Sequence, residues 1–241
     1  MPVNTDAHIV KKYDQQLSHL RSLVLEMGGL VEDQIARAVR ALDEEDLDTA
    51  REVIARDHQV NALEVKVDEE TTQLLALRQP LGIDLRMIMS MAKTVTDLER
   101  IGDEAEKIAR MTVHMYGDDG SIPNSLLLRD VGTMARLASG MLRGALDALA
   151  RLDTDKALEV AQGDDELDRE FQSALRRLIT FMMEDHRHIG HAIDVVFVIK
   201  ALERIGDHSK NIAEHVIYLV QGKDIRHQDA DSAQRTARRP G

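Results

Sequence analysis

Apolar side chains recur every three or four positions over long stretches, the spacing that puts them on one stripe of an α-helix. One stripe runs Met91, Val95, Leu98, Gly102, Ala105, Ala109. Others run Val53, Asp57, Val60, Leu63, Val67, Leu74 and Val160, Asp164, Leu167, Phe171, Leu178. The breaks are far apart: Pro80-Leu81-Gly82, Gly117-Asp118-Asp119-Gly120 with Pro123, and Gly190. Asp46 to Thr49 and Asp153 to Asp155 place short acceptor side chains ahead of periodic apolar residues, as helix starts do. The pattern predicts six helices, over 6–43, 48–78, 83–116, 125–151, 155–184 and 190–220, with Gly28-Gly29 a candidate kink in the first. Helices of that length reach about 45–50 Å at ~1.5 Å per residue. Amphipathic and joined by short loops, they pack as antiparallel bundles.

The pattern is written twice. Leu98-Glu99-Arg100-Ile101-Gly102-Asp103 returns letter for letter as Leu202-Glu203-Arg204-Ile205-Gly206-Asp207, 104 positions on. Upstream, Asp46, Asp48, Ala50, Glu52, Val53 and Asp57 return as Asp153, Asp155, Ala157, Glu159, Val160 and Asp164, 107 positions on. Two echoes in the same order with nearly equal offsets mark a tandem duplication. The expected fold is all-α, two tandem three-helix bundles: residues 1–118, residues 119–222, and a polar, disordered tail over 223–241.

Composition agrees with helices and removes several chemistries. Aromatic residues make up only 2% of the 241 residues, against the needs of a β-sandwich or barrel. Cys is absent, which excludes disulfides, zinc knuckles and thiol nucleophiles. A net charge of −12 argues against nucleic acid as the main partner. The run Val195-Val196-Phe197-Val198-Ile199 is bracketed by Asp194 and Lys200, far short of the ~20 residues of a spanning helix. The opening residues lack the basic and apolar stretches of a signal peptide, so a cytoplasmic protein is expected.

Charged residues inside the apolar stripes hold the remaining chemistry. Glu99 and Asp103 are four apart on the border of the third stripe, and Glu203 and Asp207 repeat them. Asp57 interrupts the second stripe with Asn61 one turn on; Asp164 and Asp168 answer them in the second half. If the helices are neighbours, each half gathers four oxygen-bearing side chains, a donor set for a hard cation. The alternative is an Arg–carboxylate network fixing helix register, with Arg100 three residues before Asp103 and Arg204 three before Asp207. Glu64 and Asp68 have no copy in the second half and read as a solvated face. Gly102 and Gly206 read as close-packing points, and His186, His188 and His191 as solvated loop residues. No Glu has His at the third position after it, which removes the di-iron oxidase pattern. Neither a Gly-x-x-x-x-Gly-Lys loop nor a Gly-x-Ser-x-Gly elbow is present.

The duplicated Leu-Glu-Arg-Ile-Gly-Asp, together with Met27-Gly28-Gly29-Leu30-Val31-Glu32, Arg78-Gln79-Pro80 before Asp84-Leu85-Arg86, and Met182-Met183-Glu184-Asp185, resembles the PhoU family of phosphate-transport accessory proteins. The resemblance implies a bacterial cytoplasmic regulator, not an enzyme, that represses phosphate-starvation signalling. It implies contacts with the ATPase subunit of the phosphate ABC transporter and with a sensor histidine kinase, recruitment to the inner membrane face through those partners, and a homodimer. It also implies metal clusters (Fe, Mn, Mg or Zn) on Glu/Asp-x-x-x-Asp motifs, matched by Glu99/Asp103, Glu203/Asp207 and Asp164/Asp168. Asp57 departs from the motif, being followed by Asn61, so the first-half site is expected to be the weaker. A different class of function for the same carboxylates is a metal-dependent phosphoesterase, which would need an open coordination position.

Overall fold

A computed structural model describes residues 5–117 and 123–224 of the chain. Six long helices account for nearly all of them: α1 Thr5–Asp43, α2 Leu47–Arg78, α3 Gly82–Gly117, α4 Val131–Arg151, α5 Thr154–Glu184 and α6 Ile189–Gln221. There is no strand among the described residues. The expected boundary at 118 and most of the expected tail, from 225 on, lie outside them.

Local chemistry sets the helix ends. Asp46 caps α2 by accepting from the backbone N–H groups of Asp48 and Thr49 at 3.1 and 3.0 Å, and Asp153 caps α5 through Lys156. A helix start of this kind satisfies donors that have no intrahelical partner. One helix start and one break residue differ from the sequence pattern. Residues 125–130 form turns, not the first turns of α4: Leu127 and Leu128 bond back three residues to Asn124 and Ser125, and the Asn124 side chain takes the N–H of Leu126. The third break falls at Asp185, not Gly190. Asp185 is extended and accepts from Arg187, a short 3₁₀ turn follows over His186–His188, and Gly190 lies inside the first turn of α6. Gly28 and Gly29 lie within an unbroken α1. A Cβ on Gly28 would strike the Leu146 side chain, so this glycine lets α4 approach α1 closely.

Helices α1–α3 and α4–α6 are the two bundles, joined into one apolar core. Their junction is the α3/α6 pair, the most extensive helix contact in the molecule. Along it Arg86 lies against Gly222, Lys93 over the Tyr218 ring, Glu104 beside Arg204 and His114 beside Asp194. The partners fall in number as the α3 residues rise, so the two helices are antiparallel. Glu104 stands two residues after Gly102, and Arg204 two before Gly206. The two hexapeptides therefore cross at mid-length, each glycine level with its own copy, and the bundles are related by an internal twofold. No helix is long and apolar enough to cross a membrane among the described residues.

Candidate functional site

The hexapeptide glycines explain how the carboxylates are brought together. A Cβ on Gly206 would collide with the Leu167 side chain of α5, and one on Gly102 would sit 3.3 Å from Val60 of α2 and 3.6 Å from Asp57 Oδ1. Without side chains at these points, α3 closes on α2 and α6 closes on α5. Each closure carries the carboxylates of one helix toward those of the other.

In the first repeat Asp57 is buried, while Glu99 and Asp103 are half-buried on the facing helix. Burial raises the Glu99 carboxyl above its ordinary range, and the charges of Asp103, Glu64 and Asp57 raise it further against Arg100. Asp103 is raised by burial and then by Asp57. Glu64 is raised by burial first, then by Asp68 and Asp103. The expectation of a solvated face is thus corrected for Glu64, which points into the α2/α3 seam, and holds for the exposed Asp68. Asn61 lies at the rim, its amide donating to Asp57 Oδ2 at 3.1 Å. Arg100 pairs with both Glu99 and Asp103, at 3.5 and 3.7 Å, as the register alternative expects in this repeat, through a side chain about half exposed to water.

A residue that the motifs did not single out completes this seam. Gln34 of α1, 6% exposed, donates its amide N–H to Asp57 Oδ1 at 3.4 Å. A carboxylate accepts but cannot donate, so the amide nitrogen must face it and Oε1 is turned toward α3. That oxygen is buried without a hydrogen-bond partner among the described residues, and a Cβ on Gly102 would lie 3.3 Å from it. A buried carbonyl oxygen without a partner, on a side chain that bonds Asp57 and faces the helix of Glu99 and Asp103, is the donor type a hard cation takes.

The second repeat is built differently. Asp164 is buried, Glu203 half-buried, and Asp168 and Asp207 lie at the outer edge. Lys210 Nζ donates to Asp164 Oδ2 at 2.6 Å, and Lys200 Nζ reaches both Glu203 oxygens at 2.6 Å while lying 5.4 Å from the centre of the Phe171 ring. Burial works against the Lys210 charge, but bonding and attraction to Asp164 outweigh it and raise its pKa. Asp207 is pushed up to about 6, by partial desolvation and then by the charges of Glu203 and Asp164, with Lys200 opposing. Arg204 does not pair with Asp207 as the register alternative expects. It crosses the junction to Glu104 at 3.1 Å, which Lys107 also holds at 2.6 Å. Among the described residues no three His, Asp or Glu side chains are already gathered around a point that would seat an ion.

A polar cluster that no motif in the chain points to links the repeats. Asp97 of α3, buried, accepts from His208 Nδ1 and His215 Nε2, each at 2.9 Å, and from Asn211 Nδ2 at 3.1 Å. Burial would raise its carboxyl, but these three donors outweigh it and hold Asp97 down at about 2.

Comparison with known proteins places this architecture. The PhoU domain family matches residues 24–112 and 131–216. A phosphate-specific transport system accessory protein PhoU homolog of Pseudomonas putida is 49% identical over 220 residues, 91% of this chain and 85% of that protein. The phosphate-specific transport system accessory protein PhoU of Escherichia coli K12 is 38% identical over 229 residues, covering 95% and 93%. The crystal structure of PhoU from Pseudomonas aeruginosa superposes with a TM-score of 0.81 at 46% identity, over 88% of this chain and 100% of that one. The phosphate transport system regulatory protein PhoU from Streptococcus pneumoniae gives 0.79 at 28% identity, over 88% and 98%.

Proposed function

The chain belongs to the PhoU family, and from that premise we propose that it is a cytoplasmic regulator that keeps phosphate-starvation signalling off when phosphate is plentiful. It does so through protein contacts, with the ATPase subunit of the phosphate ABC transporter and with the sensor histidine kinase, as a homodimer recruited to the inner membrane face. A hard cation of the Fe, Mn, Mg or Zn kind belongs to the same reading, with candidate seats on Asp57, Asn61, Glu99 and Asp103 and on Asp164, Asp168, Glu203 and Asp207.

One observation supports this reading over a catalytic one. The helix ends at the α2/α3 and α5/α6 turns, and the first turns of α6, expose large apolar side chains: Leu77, Leu81 and Ile83 in the first repeat, and Met183, Ile189, Ile193 and Phe197 in the second. Leu81 and Met183 are each 83% exposed. Grouped exposed apolar residues mark contact surfaces. Because α3 and α6 are antiparallel, the two groups lie at opposite ends of the pair, and one molecule can hold two partners at once.

The test is genetic and biochemical. Deleting the gene derepresses phosphate-starvation reporters in phosphate-rich medium. Full-length protein retains the ATPase and the kinase in pull-downs, and Leu81→Asp or Met183→Asp weakens one or the other. A reporter that still switches off normally in the deletion strain refutes the proposal.

A further inference from the structure

The duplication lets each site be read against its own copy, residue by residue. Lys200 and Lys210 answer to Thr96 and Glu106, 104 positions earlier. Phe171, which supports the Lys200 ammonium, answers to Glu64, and Met141 answers to Gln34, each 107 positions earlier. The geometry shows that these are true counterparts. Gln34 and Val60 are the side chains nearest a Cβ on Gly102, while Met141 and Leu167 are those nearest a Cβ on Gly206.

So the two seams satisfy their carboxylates by different means. In the second, two ammonium groups sit at hydrogen-bond distance on Asp164 and Glu203, where a cation would otherwise bind. An added ion there would have to displace charged donors already in contact with its ligands. A thioether, Met141, takes the place of a carbonyl donor, and a hard cation gains little from sulfur. In the first seam no lysine is present at either place. Glu106 is itself occupied by Arg110 at 2.5 Å, Arg100 pairs with Glu99 and Asp103 only at 3.5 and 3.7 Å with half its side chain exposed, and Gln34 leaves a buried oxygen without a partner.

We propose that this chain binds a hard divalent cation in the first repeat alone, on Asp57, Glu99, Asp103 and the amide oxygen of Gln34, while Lys200 and Lys210 take the cation's place in the second. The inference rests on the reading of these seams as metal seats, and it reverses the order of strength expected from Asn61. Asn61 lies at the rim and donates to Asp57, so its missing charge matters less than the two lysines opposite. Seating the ion draws Glu99 and Asp103 toward Asp57, since no three such side chains are already gathered around a point among the described residues.

Mn²⁺ titration of chelator-treated, full-length protein, read as free Mn²⁺ by electron paramagnetic resonance, tests it. One equivalent is expected. Asp103→Asn and Gln34→Met, the latter importing the second repeat's residue, weaken that equivalent at least tenfold, and Asp207→Asn leaves it unchanged. The double variant Lys200→Thr/Lys210→Glu, which imports the first repeat's residues, gains a second equivalent if it keeps its circular dichroism. Should that variant fail to fold, the contrast between Asp103→Asn and Asp207→Asn decides alone. Two equivalents in the unaltered chain, or loss with Asp207→Asn but not with Asp103→Asn, overturn the asymmetry and leave the metal reading standing. No binding by the unaltered chain overturns both.

Discussion

Lys210 Nζ lies 2.6 Å from Asp164 Oδ2, and the same place in the first repeat is held by Glu106, a residue of opposite charge. The lysine is thus a built-in counterion for a carboxylate that is only 5% exposed. Removing it strands that charge, and Lys210→Ala is expected to lose about 2 kcal/mol, the usual scale for a hydrogen bond to an ionised group. Divalent cation should then restore the loss, because it can take the vacated position. Chemical denaturation with and without Mn²⁺ measures both effects.

Asp207 gives the opposite result. Its carboxyl ionises only near pH 6 in the folded protein, against an ordinary value of 3.8. Between those values the folded chain keeps a proton that the unfolded chain has released, so stability falls as pH rises through this window. Asp207→Asn removes the repulsion without removing a partner. Melting curves of chelator-treated protein should show the variant above the parent at pH 7 and level with it below pH 4.

The polar cluster at Asp97 responds to acid in the other sense. A carboxyl held at about 2 contributes stability that is complete above its ordinary value of 3.8 and is lost as pH falls from there toward 2. Asp97→Asn should cost ~2–4 kcal/mol at neutral pH, since two imidazoles and an amide lose a charged acceptor in a buried site. It should also flatten the acid limb of the stability profile. Denaturant midpoints at pH 7, 5 and 3 for both proteins provide the check.

Glycines separate packing from propensity. Gly29 is exposed and a Cβ there would meet nothing within 4 Å, so Gly29→Ala should stabilise α1 by roughly 0.5–1 kcal/mol. Gly206→Ala puts a methyl group into Leu167 and should destabilise by roughly 1–3 kcal/mol despite the same propensity gain. Thermal melts that rank the two variants the other way would show that α6 can move away from α5 at little cost.

Much of the fold could be read from the sequence because it rests on local periodicity. Five of the six predicted helices begin and end within a residue or two of α1, α2, α3, α5 and α6. The start of α4 was misplaced because Leu126, Leu127 and Leu128 continue an apolar pattern while Asn124 and Ser125 draw their backbone into turns. The carboxylates of each seam were legible as pairs on one helix face. Their cations were not, since Lys210 and Asp164 sit on different helices. A line-by-line comparison of the repeats would still have flagged Lys200, Lys210 and Gln34 as departures. No such comparison finds Asp97, whose copy is Ala201 and whose partners all belong to the other bundle.

That last mismatch means the two halves fit each other like unlike parts. Two first repeats meeting across the same twofold would turn Asp97 toward Glu104, Lys107 and Met111, the copies of His208, Asn211 and His215. Two second repeats would offer both histidines to Ala201. Either pairing forfeits the imidazole donors that hold Asp97, while the mixed pairing keeps them. Cut between its bundles, the chain should therefore reassemble from its two unlike fragments in preference to either like pair. The tether has allowed a surface that began as self-complementary to become keyed.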